Sequence, residues 1–342
     1  MELGYILMTA VNAIMPILLM ILLGLGLRKT GFLSEDFLNH SNKLVFNLCL
    51  PVMLFINIYN MEGLHTIQWD IVLYTVCMIC LLFILSIVIA IASTNVPERK
   101  GVVMQCVYRS NYAIIGLPLA AALGGQEAVT TAAVISAFCV PLYNVFSVFS
   151  LTVFLKNGHS NEQNLKSILG NIVKNPLIIG VAAGFLCLGI RHLQTELFGS
   201  AVFTLSGQMR FLYSVLNSLQ SVATPLALIV LGGQFQFSAM KGLRKEIAWG
   251  TVSRTVLAPL IGIGLAVLLS RTTTLFSFGV NEYPALIAVF GSPVAVSSAI
   301  MAAGMHNDEQ LATQLVVWTS LFSILTIFIT VCIMLPMGLL TP

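Results

Sequence analysis

Charge is scarce in this chain: 8% of its 342 residues are Asp, Glu, Lys or Arg, against about 25% in a soluble domain. That shortage excludes water as the main solvent of the fold. Strict alternation of apolar and polar residues is also missing, which excludes a membrane β-barrel. No basic segment precedes the first apolar run, residues 5–27. Glu2 stands before it and Arg28 and Lys29 after it, the reverse of a secretory signal, so a retained span is expected. The seven cysteines fall in apolar stretches, where thiols pack as small hydrophobes. Cys77 and Cys80 form a C-x-x-C, but the histidines lie in loops or near helix ends, so neither a metal site nor a disulfide framework is expected. No Asp or Glu falls mid-span. A membrane-embedded enzyme, which needs paired acids or a nucleophile with its base, is therefore not expected.

What is present is 58% hydrophobic residues, in runs near the ~20 residues that carry a helix across a bilayer core. Ten spans are expected, near residues 5–27, 39–58, 71–93, 102–123, 129–155, 172–190, 211–232, 247–270, 283–304 and 311–337. Loops after spans one, three, five and seven hold Arg28, Lys29, Arg99, Lys100, Lys156, Lys166, Lys174, Lys241, Arg244 and Lys245; the other side has Arg191, Arg210 and Arg271. The basic side is cytoplasmic by the positive-inside rule, which places both termini outside. The net charge of +3 thus belongs to membrane topology, and no nucleic-acid partner is expected.

Residues 156–174, rich in Asn, Ser, Gly and Lys, read as a cytoplasmic linker between a first unit, 1–155, and a second, 175–342. Each unit holds five spans, an odd number, so the two must be oppositely oriented. Helix breakers recur in both. Pro16 precedes Gly24 as Pro176 precedes Gly184, and Pro51 lies 67 residues before Pro118 as Pro225 lies 68 before Pro293. The expected fold is an all-α polytopic membrane protein of about ten transmembrane helices. They form two inverted five-helix repeats, with broken helices crossing at spans four and nine, an arrangement common among secondary transporters.

Proline inside a helix removes a backbone donor and clashes with the preceding turn. The expected breaks are Gly116-Leu117-Pro118 and Gly291-Ser292-Pro293. Freed backbone groups in hydrocarbon need a polar cavity, and half-helix N-termini there favour an anion. The candidate substrate residues are Arg109, Asn111, Tyr112, Gly116 and Pro118 at the first break, with Ser292 and Pro293 at the second. Asn111 can donate to a carboxylate without a second buried charge. Arg109 either faces the site or snorkels to the headgroups, and Arg254 is expected to snorkel. Ser297, Ser298, Asn47 and Asn144 are candidates for a coupling ion, each with a helix-packing alternative. Sodium would suit such hydroxyls and amides; a proton would suit embedded carboxylates. No cofactor is expected.

Several segments carry a resemblance: Lys43-Leu44-Val45-Phe46 with Leu50-Pro51, Asn111 through Gly116-Leu117-Pro118-Leu119, Asn175-Pro176-Leu177-Ile178, Thr224-Pro225-Leu226-Ala227, and Pro293 with Asp308 to Val317. In this order, along nearly the whole length, the chain resembles the auxin efflux carrier family, in its bacterial branch. The resemblance implies a fold related to the sodium–bile acid symporters, with a scaffold and an elevator-like moving part. It also implies a homodimer in the bacterial inner membrane that carries malate, malonate or similar organic anions. In plant members the asparagine matching Asn111 contacts the substrate carboxylate. Leu177 stands where plant exporters have a further asparagine, so auxin itself is not expected. Two alternatives stay open: a sodium-coupled symporter of a larger amphipathic anion, and a non-transporting sensor.

Overall fold

Hydrocarbon leaves no water to satisfy backbone groups, so a chain this apolar closes its hydrogen bonds within helices. The computed structural model describes residues 3–60, 69–155, 174, 176–200, 202–235, 240–273, 276 and 278–340. The linker 156–174 lies outside them apart from Lys174. The described helices are α1 (Leu3–Lys29), α2 (Glu35–Tyr59), α3 (Trp69–Ser93), α4 (Pro97–Tyr108), α5 (Leu117–Val153), α6 (Pro176–Phe198), α7 (Arg210–Gln234), α8 (Met240–Thr272), α9 (Glu282–Gly291), α10 (Ser297–Gly304) and α11 (Glu309–Met334). Among the described residues, seven helical stretches are long and apolar enough to cross a membrane, six of them the whole of α2, α3, α6, α7, α8 and α11. The seventh is the Glu127–Val153 part of α5, beyond a bend at Gly125.

Burial confirms the solvent. Leu73, Ile84, Val88, Leu186, Leu260 and Ile333 are each more than half exposed, while Ser86, Gln105, Arg109, Arg254 and Gln314 are buried. A water-soluble fold would show the opposite distribution.

Three helices contain a single wide π turn: Val45–Cys49 in α2, Tyr112–Gly116 leading into α5, and Ser253–Leu257 in α8. In each, proline stands two residues after the turn: Pro51, Pro118 and Pro259. A proline ring clashes with the carbonyl four residues back. The turn widens to relieve that clash. Leu50, Leu117 and Ala258, immediately before the prolines, accordingly donate to carbonyls five residues back.

Glycine sets the tightest helix contacts. In the α1–α7 pair, a Cβ on Gly24 would meet the backbone oxygen of Ile229, and one on Gly232 that of Ile21. The α2–α6 pair repeats the device, Gly180 lying against the Pro51 carbonyl and Gly184 against Ile58. Backbone cannot move aside as a side chain can. Gly232→Val is therefore expected to destabilise the purified protein by about 3 kcal/mol, read as a lower melting temperature. Gly26→Val is the control, because its added carbon meets nothing within 4 Å.

At one end of the bundle Arg99 bonds Asp308 at 2.9 Å and Glu246 at 3.1 Å, tying α4, α8 and the start of α11 together. At the centre two interruptions come together. The chain leaves helix at Arg109–Asn111, between α4 and the π turn before α5, and again between α9 and α10. The second interruption contains Pro293, as the sequence suggests. The first does not fall at Pro118, which begins α5 instead. The π turn before it takes up the missing N–H, so the helix that starts at Tyr112 runs on through Pro118.

Candidate functional site

The two interruptions supply each other's backbone partners. Arg109 and Ser292 are both extended (φ −83°, ψ 115° and φ −64°, ψ 148°). Ser110 and Val294 form an isolated antiparallel bridge. The Asn111 N–H donates to the Pro293 carbonyl at 2.8 Å, and the Val294 N–H donates to Thr319 Oγ1 on α11 at 3.2 Å. Two short extended strands thus meet in a helical interior.

The meeting point has two faces. On one, α4 and α9 end, presenting carbonyl oxygens. Arg254 fills this face from the π turn of α8. Its Nε donates to Ser292 O at 2.8 Å, Nη2 to Val289 O at 2.8 Å and Phe290 O at 3.2 Å, and Nη1 to Tyr108 O at 3.3 Å and Val107 O at 3.4 Å. It is fully buried, so the snorkelling expectation is corrected. Two helix C-termini, each worth about half a negative charge, are its counter-charge.

On the other face, the helical segments starting at Tyr112 and Ser297 present N-termini, and here stands Arg109. Its Nη2 donates to Asn144 Oδ1 at 3.0 Å and Ser297 Oγ at 2.8 Å. Its Nη1 lies against Met301 Sδ. With the Gln105 amide turned so that its oxygen faces the donors, Nη1 reaches Gln105 Oε1 at 2.9 Å, Ser147 Oγ donates to the same oxygen, and the amide nitrogen donates to the Ser298 carbonyl. Arg109 is 4% exposed, pointing inward and not to the headgroups. All its acceptors are neutral.

Beside it is a cavity of about 60 Å³, bounded by Arg109, Ser110, Asn111 and Tyr112 from the first interruption, Ala295 and Ser297 from the second, and Tyr143 and Asn144 from α5. Leu50, Met53, Leu54, Val140 and Leu177 make the wall apolar, and Asn57 adds an amide. That is several times the roughly 10–15 Å³ needed to admit one water, so the cavity admits a small polar ligand or a few waters. The Ser110 and Tyr143 hydroxyls are buried with no hydrogen-bond partner among the described residues. A buried unpaired hydroxyl is costly, so both are ready donors for a ligand.

Arg109, Asn111, Tyr112, Asn144 and Ser297 are thus brought together. Tyr112 faces the cavity while its hydroxyl donates to the Ala132 carbonyl at 2.9 Å. The remaining candidates sit elsewhere. Gly116 lies under the Tyr112 ring, and Pro118 lies in the first turn of α5. The Ser292 hydroxyl donates to the Ala288 carbonyl, Pro293 contributes its carbonyl to Asn111, and Ser298 Oγ is buried without a partner. Asn47 is exposed and bonds its own helix at Lys43 O. Ser297 and Asn144 both turn an oxygen toward Arg109, so a cation bound between them would sit against a guanidinium. Among the described residues no group of three His, Cys, Asp or Glu could hold a metal.

Tyr143, Gln105 and Arg254 are absent from the sequence-derived set. Tyr143 carried one signal, its place beside Asn144. Arg254 looks in sequence like any basic residue one or two turns inside a span.

A polytopic helical protein with a small, buried, cationic site at paired helix interruptions has the makings of a membrane carrier, and comparison with known proteins agrees. The profile of the family described as membrane transport protein matches residues 9–331. The chain belongs to this family, the auxin efflux carriers, and is a transporter and not an enzyme. It is also similar to the uncharacterized transporter MJ1031 of Methanocaldococcus jannaschii, 23% identical over 327 residues covering 94% of this chain and 97% of that one.

Proposed function

We propose that the protein carries a small organic anion, a mono- or dicarboxylate, by alternating access at the paired interruptions. The observation that carries this reading is Arg109: a buried guanidinium on a small cavity whose protein acceptors are all neutral. A carboxylate entering the cavity would be its counter-ion, with the Asn111 amide, the Ser110 and Tyr143 hydroxyls and the N-terminal amides of the helical segments as further donors. The turning of Ser297 and Asn144 toward Arg109 argues against sodium at those residues.

We further propose ten spans in two inverted repeats, counting α1 and the two interrupted helices. The equivalence of Gly24 and Gly184 supports this: each packs on the second span of the other half, Ile229 of α7 and Ile58 of α2. A homodimer in the cytoplasmic membrane, with both termini outside, completes the proposal.

A thermal-shift screen against lactate, malonate, malate and succinate, each with and without sodium, tests it, because a ligand of the folded state raises apparent stability. Stabilisation by small carboxylates without sodium is expected; stabilisation by cations or neutral solutes alone would contradict it. A hydrogen bond to a charged ligand contributes about 1.5–3 kcal/mol. Asn111→Ala should then weaken anion affinity by roughly 10- to 150-fold, and an unchanged affinity would remove Asn111 from the site. Radiolabelled flux separates a carrier from a sensor.

A further inference from the structure

The two buried arginines are balanced differently, and the difference bears on how the carrier resets. This inference rests on the anion-carrier reading. Arg254 faces carbonyls at two helix C-termini, which together approach one negative charge. Arg109 faces Asn144 Oδ1, Ser297 Oγ, Gln105 Oε1 and Met301 Sδ, none of them charged. Among the described residues, no Asp or Glu forms an ion pair with either arginine. The helical segments beginning at Tyr112 and Ser297 add positive potential to the Arg109 side. Among the described residues no charged group balances the positive charge of this site, and an arriving anion would.

Alternating access requires a state in which the site is closed to both sides, whether the site moves or the barriers around it exchange. Closing over a guanidinium–carboxylate pair buries a compensated unit. Closing over Arg109 alone strips water from an unpaired cation, which is far more costly. We infer that the protein is a counterflow exchanger: its anion-loaded form changes access readily and its empty form slowly, so it swaps anion for anion much faster than it catalyses net flux. With a monoanion such as lactate as cargo, the loaded site is neutral and the empty form carries the charge. An inside-negative potential draws a positive site inward, so it favours the return step of net export and opposes that of net uptake. One-for-one exchange of the same anion moves no net charge.

The test uses the purified full-length chain in proteoliposomes, with labelled lactate outside and, separately, labelled malonate. Vesicles contain either the same unlabelled acid or buffer alone. Initial uptake into acid-loaded vesicles should exceed uptake into buffer-filled ones by about tenfold or more, a barrier difference of ~1.4 kcal/mol. An inside-negative potential set with potassium and valinomycin should slow lactate uptake into buffer-filled vesicles and leave lactate–lactate exchange unchanged. Equal rates in the two kinds of vesicle would overturn exchange and leave transport standing. No uptake into either would remove the small-carboxylate reading and this inference together.

Discussion

Arg109→Gln is expected to abolish saturable anion binding at concentrations that fill the wild-type site. Taking one partner from a buried charge pair costs about 3–5 kcal/mol, which corresponds to a loss of affinity of roughly 10²- to 4 × 10³-fold. Equilibrium binding of labelled lactate or malonate to the detergent-solubilised protein reads this directly. Glutamine keeps an N–H donor for Asn144 or Ser297, which Arg109 now joins across α5 and α10. It also removes a buried cation whose acceptors are neutral. The ligand-free variant is therefore expected to be at least as thermally stable as the wild type. A variant that binds poorly because it is unfolded would show the opposite.

Arg254→Met is expected to fail in the other way. Five hydrogen bonds disappear at once, and the carbonyls that end α4 and α9 lose their partner in a dry interior. Each orphaned group there costs several kcal/mol, so the variant should not yield a monodisperse peak on size exclusion after solubilisation. Arg254→Lys keeps the charge and three of the donors. It should fold, melt below the wild type, and bind the anion more weakly, because the two interruptions lose a shared anchor. A monodisperse, fully stable Arg254→Met protein would show that α4 and α9 hold their ends without this side chain. The two arginines thus separate by readout: Arg109 moves affinity, and Arg254 moves the fold first.

The polytopic helical character is legible in the sequence because apolar runs answer to the bilayer, a solvent that acts on every residue alike. The second interruption is legible for the same local reason, since Pro293 cannot continue a helix in mid-span. The first is not. Pro118 looks equally disruptive, yet it is absorbed by a π turn and the start of α5. The chain opens seven residues earlier, where Ser110 and Asn111 find Val294 and Pro293 as partners. That choice is tertiary, and no property of residues 109–118 alone announces it. The same holds for the arginines, because snorkelling and inward burial differ only in which way a span is turned. Asn111 and Arg109 could be nominated by residue type and position. Tyr143 could not, since an unpartnered hydroxyl is recognisable only when its neighbours are known. Asn47 shows the converse: an amide inside an apolar run that faces outward and satisfies itself on its own helix.

The most direct test of an anion site at Arg109 is equilibrium binding of labelled lactate and malonate to the purified wild-type and Arg109→Gln proteins, each confirmed folded by its melting curve. Saturable binding to the wild type without sodium, lost in a variant that melts no lower, is the expected result. Equal binding by the two folded proteins, or binding of neither acid to the wild type, would contradict it.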